Sequence, residues 1–329
     1  MSKLIIQIPC YNEERTIGIT LRELPREVDG FDEVEWLIIN DGSRDKTIEV
    51  ARSHGVDHVV DLQYNRGLAH AFSAGIDACL KLGADVIVNT DADNQYQAED
   101  IPLLTGPIVA GEAEMVIGAR PILSIAEFSP IKKLLQRLGS FVVRNISKAD
   151  VEDAPSGFRA FSRELALRLK VFNAYTYTLE TIIQAAVSGA RIRSVPIRVN
   201  GALRRSRLVR SIPQYVRASL FTMVRIYILY RPFRVFSALS ILPLVSGSIL
   251  TVRWLWLNWY EYQITGRLHI PSLIVAVLLL ATGIALLLAG ILADVLAANR
   301  VLLEEIRYSQ RAEKLGSGLR TTMRAIPHV

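Results

Sequence analysis

Cysteine is almost missing from this chain: Cys10 and Cys79 are the two it has in 329 residues. Their spacing fits neither a metal-ligand pattern nor a disulfide framework, so both read as core thiols in a reducing compartment. Charge is missing in two places. Val235 to Val252 carries none, and Ile270 to Ala293 runs for 24 residues without one. A helix needs ~20 apolar residues to cross a bilayer. The second stretch qualifies directly, and the first does so if it continues through Trp254, Trp256 and Leu257 with Arg253 at an interface. Acidic residues are missing between Arg191 and Arg234, a segment with eleven arginines. Such a run suits phosphate-bearing partners or anionic headgroups, and a basic stripe leading straight into apolar spans points to lipid and not to nucleic acid. A secretory signal is not visible either. Leu4 to Ile8 is strand-length and stops at Pro9, too short for a signal-peptide core.

What is present divides along the chain. Up to about Arg210 the composition is that of a soluble α/β protein. The segment between the two apolar stretches, Asn258 to His269, holds only Glu261 and Arg267 as full charges. The outer flanks hold Arg225, Arg231 and Arg234 on one side and Arg300, Arg307, Arg311 and Lys314 on the other. The positive-inside rule then predicts an integral protein of the cytoplasmic membrane, with the N-terminal domain and both termini cytosolic. The expected organisation is a catalytic domain over residues 1–210, an amphipathic interface helix over 211–233, a two-helix anchor over 234–296 and a basic cytosolic tail over 297–329. A second amphipathic pattern covers Ile131 to Arg144; both patterns suit the headgroup plane, and packing on the sheet is the alternative, equally open for Ile131 to Arg144.

In the first half, short apolar runs alternate with 3.6-residue periodicity. Strands are predicted at Leu4–Ile8, Trp36–Asn40, His58–Leu62, Val86–Thr90 and Met115–Gly118. Helices are predicted at Glu14–Leu24, Thr47–His54, Leu68–Leu82 and Gln97–Val109. This alternation implies a mostly parallel, doubly wound sheet, whose ligands bind at the carboxyl ends of strands. Three polar loops follow strands there: Pro9-Cys10-Tyr11-Asn12-Glu13, Asp41-Gly42-Ser43 and Asp91-Ala92-Asp93. Asp91 and Asp93 are hard oxygen ligands suited to Mg²⁺ or Mn²⁺, although the triplet could also serve as a turn and cap. Asp41 could bond a base or ribose, and Ser43 or Asp45 could cap the next helix.

These motifs together resemble family 2 glycosyltransferases of the GT-A fold, and among them the branch that glycosylates polyprenyl phosphates. The match continues through Gly118-Ala119-Arg120, the stretch Asp153 to Arg163, Glu180 and Arg204 to Arg207. The resemblance implies inverting, metal-dependent sugar transfer from a UDP- or GDP-linked donor to undecaprenyl or dolichyl phosphate. It implies that Asp91 and Asp93, with Gln95, hold the metal and donor diphosphate. Pro9, Tyr11, Glu13, Asp41 and Ser43 would line the donor nucleotide pocket. Arg120, Lys132 or Lys133, and Arg205 with Ser206 and Arg207 would grip the acceptor phosphate. Self-association is left open. Two alternatives share the nucleotide-binding fold. A processive polysaccharide synthase would carry a Q-x-x-R-W signature, whereas the Arg-Trp pair here, Arg253-Trp254, lies inside an expected span. A nucleotidyltransferase would need neither lipid anchor nor arginine stripe.

Overall fold

The computed structural model describes residues 2–121, 140–141, 143–144, 151–171, 177–201, 221, 224–225, 228, 231–260 and 269–314. Five strands follow the predicted runs: β1 (Lys3–Cys10), β2 (Glu33–Asp41), β3 (His58–Leu62), β4 (Val86–Asn89) and β5 (Met115–Ala119). Two more, β6 (Arg159–Ser162) and β7 (Ile192–Pro196), complete a seven-stranded sheet of order β3-β2-β1-β4-β6-β5-β7. β1, β2, β3 and β4 pair in parallel, as do β5 and β7, while β6 runs antiparallel between β4 and β5. The central strands are buried on both faces, which is why β1 reads as a nearly continuous apolar run instead of an alternating one.

Four helices lie between the first strands: α1 (Ile17–Glu23), α2 (Thr47–Ser53), α3 (Leu68–Lys81) and α4 (Ile101–Val109). α1 starts three residues later than its periodicity predicts. The reason is local: the Thr16 and Ile17 amides donate to the Glu13 carbonyl, and the Glu13 amide is taken by Thr47 Oγ1 at 2.8 Å. That ties the first residues into a turn. α4 is entered through a 3₁₀ turn at Ala98–Asp100, with Pro102 in its first turn, where proline's missing N–H costs nothing. Beyond β6 come α5 (Arg163–Arg168) and α6 (Thr178–Val187). Cys10 and Cys79 are free and buried.

The strand order reverses between β1 and β4. Chain leaving β1 winds outward through β2 and β3, and chain entering β4 winds the other way. Their carboxyl ends therefore splay apart and leave a crevice. Pro9 sits beside this opening. β4 stays in register with β1 only from Leu4 to Gln7, so on the β4 side proline's missing donor falls beyond the end of the ladder.

Two long helices follow, α7 (Pro232–Tyr260) and α8 (Ile270–Lys314), both long and apolar enough to cross a membrane. Within their unit, residues 224–306, most apolar side chains face outward. Leu242 is 75 % exposed and Trp259 85 %, the reverse of a soluble core helix. The helices meet through small residues: a Cβ on Gly247 would lie 2.9 Å from Leu280, and one on Gly283 2.5 Å from Leu244. Close backbone approach through glycine is how helices associate in lipid. The segment expected as a basic tail continues as helix to Lys314.

Candidate active site

Three loops gather at the carboxyl edge of β1, β2 and β4, and backbone-to-side-chain bonds hold the first two together. The Asn12 amide donates to Ser43 Oγ at 2.9 Å, and the Arg44 amide donates back to Asn12 Oδ1 at 2.8 Å. Asn12 can do this because its φ of 54° turns the chain sharply. Asp45 receives the Thr47 amide at 3.1 Å ahead of α2, whose N-cap position is Lys46 and not the expected Ser43 or Asp45.

Asp41 was expected to bond a base or ribose of the donor nucleotide. It is 3 % exposed, and its two oxygens accept the Arg66 and Gly67 amides at 2.8 and 2.9 Å. Its observed work is to clamp the β3–α3 loop against the end of β2. Gly42 lets that loop come so close: its φ is +69°, and a Cβ there would lie 2.6 Å from Tyr64 and Asn65 backbone. Glu13 is also turned inward, with its carboxylate accepting the Thr16 hydroxyl at 2.8 Å. Pro9 is buried, Ser43 is half-buried, and Tyr11 is 39 % exposed at the rim.

The loop after β4 carries Asp91 and Asp93, both half-buried. Each neighbour holds it differently. Thr20 Oγ1 donates to the Ala92 carbonyl at 3.1 Å. The Gln95 amide faces Asp93 Oδ1 at 3.4 Å, and Asn94 adopts a φ of 55°. From the far side Asn200, just after β7, donates its amide to the Gln95 carbonyl at 2.9 Å and its side chain to the Asn94 carbonyl at 3.1 Å. Beneath Asp91 lies Gly157, where a Cβ would stand 2.9 and 3.0 Å from the carboxylate oxygens. The glycine is a cradle for that carboxylate.

Position 157 is fixed from all sides. Its amide donates to Tyr96 Oη at 3.0 Å, and its carbonyl accepts Asn89 Nδ2 at 2.9 Å. Asn89 also takes a bond from Gln7 and gives one to Tyr177, each at 2.9 Å, and all these side chains are buried. Burial and the nearby Asp91 push the Tyr96 hydroxyl above its ordinary pKa, so it remains a donor-capable phenol. Arg159, fully buried, braces the same turn: it donates to the carbonyls of Ser156 at 2.7 Å, Ala154 at 2.5 Å and Thr178 at 2.7 Å, and to Thr181 Oγ1 at 2.9 Å. Burial pushes its guanidinium down to about 10.

Arg120, at the end of β5, grips Asp153 in a fork, Nε to Oδ2 at 2.6 Å and Nη2 to Oδ1 at 3.1 Å. The pair is buried, with side chains 7 % and 1 % exposed. Burial opposes the charge on Arg120, but the Tyr96 oxygen, Asp153 and Asp91 outweigh it and hold the guanidinium protonated above its ordinary range. Arg120 was expected as a direct phosphate ligand; two of its donor positions are taken by Asp153.

Thus the structure brings Pro9, Tyr11, Glu13, Asp41, Ser43, Asp91, Asp93 and Gln95 to one sheet edge, with Arg120 in the electrostatic reach of Asp91. Lys132, Lys133, Arg205, Ser206 and Arg207 lie outside the described residues, as do most of the two amphipathic patterns. Sequence reasoning passed over Asn89, Asp153 and Tyr177 as site-building residues. Asp153 and Arg159 fell inside a recognised motif without an assigned partner, and Glu180 of the same match is buried at 3 % exposure.

Among known proteins, the chain resembles the UDP-N-acetylglucosamine–dolichyl-phosphate N-acetylglucosaminyltransferase of Methanococcus voltae, 30 % identical over 216 residues that make up 58 % of this chain and 83 % of that one. It is 29 % identical over 205 residues to the undecaprenyl-phosphate mannosyltransferase of Micrococcus luteus, covering 59 % and 82 % of the two chains. A solved glucosyl-3-phosphoglycerate synthase of Mycobacterium tuberculosis, in complex with Mn²⁺, UDP and glucosyl-3-phosphoglycerate, shares the fold. Its TM-score is 0.53 at 22 % identity over 68 % of this chain and 80 % of that one. The model of glycosyl transferase family 2 matches residues 5–169, which take in nearly all of β1, β2 to β6 and the loops after β1, β2 and β4, and this chain belongs to that family.

Proposed function

We propose that the protein transfers a sugar, with inversion, from a UDP- or GDP-linked donor to a polyprenyl phosphate such as undecaprenyl or dolichyl phosphate at the cytosolic face of a membrane. The observation that carries this is the Asp91–Asp93 loop seated over Gly157 at the carboxyl end of β4, in a family 2 chain that also has two outward-facing apolar helices. Relatives named as prenyl-phosphate sugar transferases support the acceptor class.

The residues fit a divalent cation. Among the described residues there is no group of three or more His, Cys, Asp or Glu that could hold one. Two carboxylates therefore leave coordination positions for phosphate oxygens, the usual arrangement for Mg²⁺ and its relatives at diphosphates. When bound, such an ion offsets negative charge developing on the departing nucleoside diphosphate. Gly157 keeps Asp91 from being pushed out of position, and Asn200 and Thr20 hold the loop's carbonyls. The nucleoside lies over Pro9 and Tyr11, with the Asp41 clamp shaping the wall.

A prenyl phosphate is already anionic near neutral pH, so its oxygen needs no strong base to attack the anomeric carbon. As that C–O bond forms, the bond to the β-phosphate oxygen breaks and its electron pair leaves with the nucleotide. The chain's part is to bring two anions together. Arg120, oriented by Asp153, supplies positive potential next to Asp91. Arg205 follows Asn200, which is bonded to the aspartate loop, by five residues in sequence. Arginine suits the task through its bidentate fork.

Purified full-length protein should be offered UDP- and GDP-sugars with undecaprenyl and dolichyl phosphates, and the anomeric configuration of the product read by NMR. Transfer only to water-soluble acceptors would refute the acceptor class, and retained configuration would refute inversion.

A further inference from the structure

The segment that leaves β7, Arg198 to Asn200, runs alongside the aspartate loop and is bonded to it at both ends. Val199 and Tyr96 form an antiparallel bridge. At one end Arg198 is locked to Asp100, which is 2 % exposed. The Arg198 amide donates to Oδ2 at 2.6 Å, and its Nε and Nη2 donate to Oδ1 at 2.9 and 2.6 Å. At the other end stands Asn200. Its backbone amide donates to the Gln95 carbonyl at 2.9 Å. Its Nδ2 reaches the carbonyls of Asn94 at 3.1 Å and Tyr96 at 3.5 Å, and Glu23 Oε2 at 3.4 Å. All three partners of Nδ2 accept, which sets the orientation of the side-chain amide: reversed, its oxygen would face three oxygens.

The left-handed φ of 55° at Asn94 bends the loop so that three consecutive carbonyls meet this one residue. A peptide unit is planar, so the Asn94 carbonyl and the Gln95 N–H turn together. Asn200 holds the carbonyl side of that plane, and the N–H side faces Asp93 Oδ1 at 3.4 Å. Its own amide fixes the next plane through the Gln95 carbonyl, and with it the direction in which Gln95 leaves the chain. We propose that Asn200 is a positioning residue for the cation, setting where Asp93 and Gln95 stand from a segment that supplies no ligand. This rests on the twin-aspartate reading given above. Groups one bond removed from a metal ligand alter metal affinity by roughly 10- to 100-fold when they are lost.

Mn²⁺ binding to full-length protein in detergent is read by electron paramagnetic resonance, with UDP and, in a parallel series, GDP. Asn200→Ala keeps the backbone bond and removes the side-chain donors. The Mn²⁺ Kd should rise about tenfold in that variant, while nucleotide affinity measured in EDTA stays at the wild-type value. Asn200→Asp sets a carboxylate against the same carbonyls and should raise the Kd further. Asn200→Ser, with one short donor, should recover part of the loss. Circular dichroism of the metal-free proteins checks folding, and the Ala and Ser variants carry the test if the Asp variant does not fold. A wild-type Kd in Asn200→Ala overturns the positioning role. An equal loss of metal-free nucleotide binding overturns it as well, since that marks general loosening. Wild-type protein that binds no Mn²⁺ with either nucleotide overturns the twin-aspartate reading, and this inference with it.

Discussion

A methyl group at position 157 would meet both oxygens of Asp91, at 2.9 and 3.0 Å, so the smallest possible substitution there tests the whole loop. Gly157→Ala should displace Asp91 and lower kcat by about 100-fold, close to 2.7 kcal/mol of transition-state stabilisation, with little change in melting. Near-normal turnover would mean that Asp91 tolerates movement and is no metal ligand. Asp93→Asn should abolish metal-dependent transfer and leave circular dichroism unchanged. Arg159 works at one remove. Replacing it by Met removes a costly buried charge but strips donors from three buried carbonyls at roughly 1 kcal/mol each. The carbonyls outweigh the relief because the charge is already well solvated by their dipoles. A loss of about 3 kcal/mol in denaturant unfolding is expected, with activity falling as the 154–157 turn relaxes.

At the scale of elements, the edges of the sheet rely on ion pairs. Glu114, at the start of β5, accepts from Arg191 beside β7, and its side chain is partly exposed. Burial raises the Glu114 carboxyl, but Arg191 and backbone donors more than compensate and bring it below the ordinary 4.5. A carboxylate whose folded-state value is depressed stabilises above its unfolded value and stops doing so as pH falls through the folded one. Thermal scans from pH 6 to pH 3 should therefore show a shallower acid-side decline for Glu114→Gln than for wild type. An identical slope would remove the pair from the acid response. In the apolar helices, Gly283→Leu would drive a side chain into Leu244, which a Cβ alone approaches to 2.5 Å. It should weaken α7–α8 packing, read as a lower melting temperature in detergent with donor binding retained.

At the scale of the molecule there are two units, residues 1–223 with 307–329, and 224–306. α8 contributes to both, since its last turns are bonded to α5 carbonyls and α3. Chelation offers a whole-molecule test of the proposed chemistry. Excess EDTA should stop transfer, and either Mn²⁺ or Mg²⁺ should restore it. Persistent activity in EDTA would sink the twin-aspartate assignment.

Local rules were enough to locate β1 to β5, α1 to α4 and the three loops, because period-two and 3.6-residue patterns, glycine turns and strand-terminal acids all act within a few residues of the chain. Two apolar runs of bilayer length were equally legible. β6 and β7 were not, since β6 offers only four residues and β7 carries Arg193 and Ser194 within it; they become strands because β4 and β5 present unpaired edges to them. Only the folded chain decided that Asp41 clamps a loop, that Arg120 is held by Asp153, that Gly157 lies under Asp91 and that Arg311 reaches back to α5. Each of those contacts joins residues more than twenty positions apart, and no local propensity encodes a distance that packing alone creates.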